Sequence, residues 1–403
     1  KLNEAGINTL KELATSDTKV HNVDKRVLDR LRLQAVMQNQ AKEKGGIPYS
    51  LLSNVEIGLG LSSLPPKSEL DIYFDIESNP LLTKIPLHYL WGAAHGDKAE
   101  GFDCWWAHSE EEMKTTFEDF IDWTYARWQQ DNAMHVYHYG QFEITAIREL
   151  MGHFGTRERE VDSLLRNEVF VDLYRVVKQS LCIGAEGYGL KAIEPLFREE
   201  RDNEVSSGQD STVVYEVWSS ERGDTKDHTD SEYLKEIWDY NKDDCVSLIS
   251  LSDWLRVIQE KEGISYFFRV SKEREVERID ASNLLDELVS GLSEQNKKPH
   301  ARILANLCLY HKRENKPAYW RLFDRLESTD EELVDDLDCL GDLVATGEIE
   351  EITTKSSAYT FSFDPNQETK IKRGDSVRVK QDTNINVTVH EMDSNDGNIK
   401  LKS

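Results

Sequence analysis

The sequence predicts an α/β fold, a sheet with helices packed on it, and three observations carry that expectation. Leu70-Asp71-Ile72-Tyr73-Phe74-Asp75-Ile76-Glu77 alternates apolar and polar residues, the period of a strand with one buried face. Two more strand patterns follow, Leu87–Ala94 and Phe102–Ala107, separated by Gly96 and Gly101, a spacing that suits three successive antiparallel strands. Behind them Met113, Phe117, Phe120, Ile121, Thr124 and Trp128 recur at helical spacing. Ser109 and Glu112 predict a capping box at the start of this crossover helix, which runs to about Gln130.

The other elements follow in order. Residues 1–66 read as a helical segment, from Leu2, Ile7, Leu10 and Leu13 and then Val27, Leu28, Leu31 and Val36. Leu2–Leu10, around Gly6, has the pattern of half a helix-hairpin-helix element, with an ordinary capped turn as the competing reading. Pro65-Pro66 breaks the chain before the central strand. His135–Tyr139 is a short strand ended by Gly140, and Phe142-Glu143 opens another helix. Val169–Leu173 is extended, residues 186–221 are mainly helical, and a long helix runs from Tyr233 to about Gln259. Residues 67–260 thus form the central α/β domain, and residues 261–350 a charged helical stalk with a second capping box at Thr329 and Glu332. Alternation resumes over 351–403, with turns at Arg373-Gly374-Asp375 and Asn395-Asp396-Gly397, and predicts a small β module shaped as a partial barrel.

Composition narrows the function classes. With 403 residues the chain is long enough for two or three domains. A net charge of −26 counts against a nucleic-acid binder that uses its whole surface, but leaves room for a local basic track beside an acidic metal site. Lys25, Arg26, Arg30 and Arg32 read as a solvated face. The five cysteines are scattered, with no C-x-x-C pair, which points to a reducing, cytoplasmic setting and away from a zinc or disulfide framework. No apolar run reaches the roughly 18 residues of a membrane span. The start at Lys1-Leu2-Asn3 has neither an initiator Met nor a signal-peptide pattern, and the chain reads as a piece of a longer one.

The acids carry the chemistry. On the central strand Asp75 and Glu77 project side by side, two like charges with nothing basic beside them in sequence. A divalent cation between them removes the repulsion. Glu143 lies at the start of the helix after the fourth strand. Tyr240 and Asp244 stand four residues apart, so a phenol and a carboxylate share one helix face.

Strand–strand–strand–helix–strand–helix is the opening order of the ribonuclease-H-like fold. The acids resemble those of the DEDD 3′→5′ exonucleases, in the branch where a Tyr precedes the last Asp by four. Asp75 and Glu77 match the first motif, Phe142-Glu143 the second, and Tyr240 with Asp244 the third. Glu143 stands where most of that family has Asp, and its longer arm still offers an oxygen ligand. Longer segments resemble the RecB-like nuclease family with a YprB-type ribonuclease-H-like domain. They are His135–Tyr139, Val171–Arg175, Leu190–Leu196, Asp239–Cys245 and His311–Trp320. In that family the domain is normally fused to a superfamily-1 helicase. This sequence has no G-x-x-x-x-G-K-[ST], so the helicase of the parent chain is an implied partner, and residues 351–403 match the place of its accessory barrel.

The resemblance implies a mixed sheet with flanking helices and two Mg²⁺ or Mn²⁺ ions, which hard oxygen ligands favour over zinc. Asp75 is then the bridging ligand, Glu77, Glu143 and Asp244 complete the set, and Tyr240 orients the attacking water. Asp172 supports the site or fixes a turn, and Asp243 competes with Asp244 for its role. His311, Lys312, Arg313 and Lys316, with Tyr310, Tyr319 and Trp320, offer cations and rings to a single strand, or else an amphipathic helix that packs its rings inward. The expected activity is hydrolysis of single-stranded nucleic acid, DNA favoured and RNA possible, from the 3′ end. The rivals are a weak or inactive nucleic-acid-binding scaffold for the helicase, and an acidic protein-interaction module.

Overall fold

The computed structural model describes residues 1–21, 23, 25–53, 57–80, 85–96, 101–198, 208–221, 223–267, 303, 307, 310–334, 336–353, 356–365 and 367–402. They fall in two compact units, Lys1–Val20 with Leu28–Arg269, and His21–Val27 with Val270–Ser403.

The chain opens with helices α1 (Leu10–Thr15) and α2 (Lys25–Lys44). Thr9 and Glu12 close a reciprocal capping box, with the Glu12 N–H on Thr9 Oγ1 at 3.2 Å and the Thr9 N–H on Glu12 Oε2 at 3.0 Å. Leu2–Leu10 is therefore a turn capped onto α1. The N-terminal segment is not wholly helical as expected. Strand β1 (Tyr49–Leu51) follows α2 and finds its partner far along the chain, which no local pattern announces.

The remaining elements of this unit are β2 (Ile72–Asn79), β3 (Leu87–His95), β4 (Gly101–Trp106), α3 (Glu110–Gln130), β5 (Val136–His138), α4 (Phe142–Phe154), α5 (Glu158–Arg166), β6 (Phe170–Asp172), α6 (Leu173–Ser180), β7 (Leu181–Ile183), α7 (Leu190–Ile193), α8 (Gly208–Glu221) and α9 (Glu232–Lys261). Strand β7 pairs antiparallel with β1. The main sheet is mixed and runs β4-β3-β2-β5-β6, with β2 in the middle. Strand β2 is antiparallel to β3 and parallel to β5, because the crossover helix α3 returns the chain in the same direction. Ser109 caps α3 through the Glu112 N–H at 3.2 Å, but the Glu112 carboxylate takes the N–H of His108 at 2.6 Å. The predicted capping box is thus displaced by one residue.

The central position of β2 corrects the one-faced strand read from its alternation. Phe74 stacks on Phe120 of α3 with ring centroids 4.2 Å apart, while Tyr73 accepts a hydrogen bond from Ser252 of α9 at 3.2 Å. Helix α3 seals one face and α9 the other, so the polar residues of β2 are also inside. Gly92 of β3 lies opposite Asp75 in the register. A Cβ there would overlap Asn241 Oδ1 and stand 2.9 Å from Phe102 Cζ. The missing side chain lets α9 lie close against the sheet at the level of Asp75.

In the second unit α10 (Tyr310–Leu326) and α11 (Asp330–Val334) precede five strands, β8 (Val344–Thr353), β9 (Ser356–Ser362), β10 (Ser376–Val379), β11 (Asp382–Asp393) and β12 (Asn398–Lys402). Thr329 and Glu332 form the expected reciprocal box on α11. Strand structure begins at Val344, earlier than the alternation suggested, because β8 is exposed along nearly its whole length and carries no apolar face. The five strands form an antiparallel sheet in the order β10-β11-β12-β9-β8 over a core of Phe363, Val387, Val389, Ile399 and Leu401. Among the described residues its two edges do not pair with each other, so the sheet is not a closed barrel.

Gly92→Ala is expected to cost about 1–3 kcal/mol through overpacking against buried Asn241, read as a fall in urea midpoint at unchanged m-value. An unchanged midpoint would mean that α9 is not held at this distance.

Candidate active site

Two elements bring the acids together. The pleat of β2 sends Asp75 and Glu77 to the face covered by α9, and α9 presents Tyr240, Asn241 and Asp244 to that same face. Carboxylate oxygens of Asp75, Glu77 and Asp244 lie within 4.8 Å of one another. Glu77 is 5 % exposed and Asp244 9 %, while Asp75 keeps partial access to solvent. Asn241 fixes the geometry. Its Nδ2 donates to Asp75 Oδ2 at 2.7 Å and to the Asp75 carbonyl at 3.3 Å.

The pKa shifts follow from this crowding. Burial, and then the charges of Glu77, Asp244 and Glu143, push the Asp75 carboxyl well above its ordinary range. Burial and Asp244 push Glu77 up to about 8, opposed by hydrogen bonds from Ser211 and Asn241 and by the charge of Lys191. Burial, ahead of the neighbouring carboxylates, also raises the Tyr240 phenol, which therefore stays protonated. Its hydroxyl accepts a hydrogen bond from Lys191 Nζ at 2.8 Å.

Glu143 approaches from the first turn of α4 and is 4 % exposed. Its charge acts on Asp75, but its oxygens lie outside the 4.8 Å set of the other three acids. Its Oε2 is buried without a hydrogen-bond partner, 3.6 Å from His138 Nδ1, which instead meets the Gly140 carbonyl at 2.7 Å. Burial raises the Glu143 pKa, with His138 opposing.

The sequence candidates thus separate. Asp75, Glu77, Tyr240 and Asp244 converge, and Glu143 flanks them. Asp172 is a turn-holder. It caps α6 through the Tyr174 N–H at 2.9 Å and accepts the Gly140 N–H at 2.8 Å. Gly140 has φ +97°, the left-handed region that glycine favours, so Asp172 pins the turn that delivers Glu143. Asp243 points to another neighbour, in an ion pair with Arg198 at 2.8 Å. The side chains of His311, Lys312, Arg313, Lys316 and Tyr319 lie outside the described residues, Trp320 is half-buried on α10, and Tyr310 is exposed. Sequence reasoning missed Asn241 and Lys191. The helical spacing puts Asn241 on the buried stripe of its long helix, and Lys191 is a polar residue in a helical segment, but no spacing gives either a role at the site.

Residues 72–256 match the family model of the RNase H superfamily. That domain is ribonuclease-H-like. No curated protein and no solved structure matches the chain. A ribonuclease-H-like domain points to nucleic acid as substrate and to divalent metal chemistry. The side chains fit such a metal. The donors are all oxygen, three of them converge, and a fourth acid nearby has a buried oxygen with no hydrogen bond. Asp75, Glu77 and Asp244 are the residues that would hold it.

A raised carboxyl pKa has a definite sign in stability. Between about pH 4.5 and 8, the ordinary and folded values for Glu77, the folded protein binds more protons than the unfolded chain. Metal-free stability is therefore expected to fall as pH rises through that window. In EDTA at pH 8, Asp75→Asn is expected to raise Tm by about 2–4 °C, and Mn²⁺ to raise the wild-type Tm more than that of the variant. A Tm in EDTA that climbs with pH would contradict the crowding. Asp172→Ala is expected to lose about 0.5–2 kcal/mol yet keep most of the Mn²⁺-induced shift, and a lost shift would mean that the turn it holds is required to place the metal-binding acids.

Proposed function

We propose that the chain is a metal-dependent 3′→5′ exonuclease of the DEDD type, acting on single-stranded nucleic acid, with DNA favoured. The observation that carries this reading is the convergence of Asp75, Glu77 and Asp244 between the central strand and α9. The superfamily match over residues 72–256 supports it. Polarity, the two-ion count and the Tyr-type motif come from the resemblance of Asp75, Glu77, Phe142-Glu143, Tyr240 and Asp244 to that family. So do the helicase of the parent chain as partner, the accessory-barrel reading of the C-terminal strands and the cytoplasmic setting.

In this account Asp75, Glu77 and Asp244 hold Mg²⁺ or Mn²⁺, with Glu143 completing the set. Bound there, the ions supply positive charge that acidifies water and offsets the extra negative charge at phosphorus during attack. The chain supplies the rest. Asn241 holds the Asp75 carboxylate in one orientation through its Nδ2. Tyr240, kept neutral by its surroundings, is a hydrogen-bond donor that orients the water without taking its proton. Burial of Glu77, Glu143 and Asp244 lowers the effective dielectric around them and strengthens their attraction for a bound cation.

A 5′-labelled single strand incubated with Mn²⁺ is expected to shorten as a ladder from its 3′ end. EDTA and Asp75→Ala with Asp244→Ala are each expected to remove at least about 100-fold of the rate. Digestion that survives both would place the activity elsewhere. Binding without digestion, indifferent to EDTA, would instead favour a scaffold.

A further inference from the structure

Among the described residues, Lys191 brings a positive charge to this acidic site. Its Nζ donates to the Tyr240 hydroxyl at 2.8 Å and lies 4.1 Å from the centre of the same ring. An ammonium only donates, so the phenolic oxygen is the acceptor in this contact and its own proton is directed elsewhere. Tyr240 and Asp244 stand one turn apart on the face of α9 that covers β2, so the side of the hydroxyl away from Lys191 faces the carboxylates. Lys191 therefore fixes which way the Tyr240 proton points.

The placement is built from behind. Glu194, the Ser247 hydroxyl and Arg198 are joined by hydrogen bonds, and Arg198 also meets Asp243 at 2.8 Å. Glu194 and Ser247 are buried, 6 % and 0 % exposed. Lys191, Glu194 and Arg198 thus each engage α9, at Tyr240, at Ser247, and at Ser247 with Asp243. These contacts tie α7 and the residues just after it to α9 and deliver a half-buried lysine to one phenol.

We propose that Lys191 is a positioning residue for the hydrolysis, holding the Tyr240 hydroxyl as a donor aimed into the space bounded by Asp75, Glu77 and Asp244, where the attacking water would sit. The proposal rests on the exonuclease reading above. A lysine that bound the strand directly would act without Tyr240, and a lysine that only packed α7 would be replaceable by any chain of its length.

The test uses the full chain with Lys191→Met, Lys191→Arg, Tyr240→Phe and the double variant Lys191→Met with Tyr240→Phe, on a labelled single strand with Mn²⁺. Lys191→Met is expected to lower kcat about 10- to 100-fold, with KM for the strand moving less than about twofold. No further loss is expected when it is combined with Tyr240→Phe, and Lys191→Arg is expected to restore part of the rate. The Mn²⁺-induced rise in Tm should be no smaller than in the wild type. In protein labelled with ¹³C on the tyrosine rings, the resonance that Tyr240→Phe removes should shift in Lys191→Met. A raised KM at wild-type kcat, an additive loss in the double variant, or a wild-type rate would each overturn the role. A wild-type chain that digests no strand overturns the hydrolase reading and this role together. An unmoved Tyr240 resonance overturns the Lys191 contact alone. If Lys191→Met does not fold, Lys191→Leu, which also removes the donor, is held to the same criteria.

Discussion

Three carboxylates whose oxygens lie within 4.8 Å, most of them buried, repel one another by roughly 3–4 kcal/mol per charged pair at the effective dielectric of a protein site. The surroundings offer partial relief. Asn241 donates a hydrogen bond to Asp75, and Ser211 and the positive charge of Lys191 favour the ionised form of Glu77. The pKa values of Asp75, Glu77 and Glu143 remain raised against that relief. A cluster of this kind either takes up protons or takes up a cation, and at neutral pH a divalent ion relieves the whole cluster together.

The rest of the ribonuclease-H-like domain keeps the acids from relaxing apart. Asp75 and Glu77 sit on the middle strand of five, where a shift of register would disrupt pairing on both sides. Asp244 sits within a helix that runs Glu232–Lys261 and packs on β2 and β3. The contact between them is close because Gly92 has no side chain, and it is locked because Asn241 fills that space and grips Asp75. Asp172 does similar work at the other end, tying the Gly140 turn so that α4 begins with Glu143 facing the acids. Rigid placement of like charges is the condition for holding a metal in one geometry.

Much of this was legible in the sequence, for physical reasons. Alternation over Leu70–Glu77 marks a strand whatever covers it, and the i, i+4 spacing of Tyr240 and Asp244 fixes a shared helix face. Alternation does not say whether the polar face meets water or a helix, so the burial of Glu77 by α9 was invisible. Strands β1 and β7 escaped because each has three residues and finds its partner about 130 positions away. Asn241 and Lys191 escaped for a related reason. A polar residue in an amphipathic helix looks like any other until the fold shows what lies across from it. The exposed β8 carries no apolar stripe, and its pairing with β9 alone makes it a strand.

The central claim is that the space among Asp75, Glu77 and Asp244 is a cation site. Crystals grown with Mn²⁺ and measured at the manganese absorption edge test it directly. The account predicts an anomalous peak bounded by these three side chains in the wild type, weakened or lost in Asp75→Asn with Asp244→Asn. A wild-type crystal with no anomalous density there, at a concentration of Mn²⁺ that supports strand digestion, would contradict it.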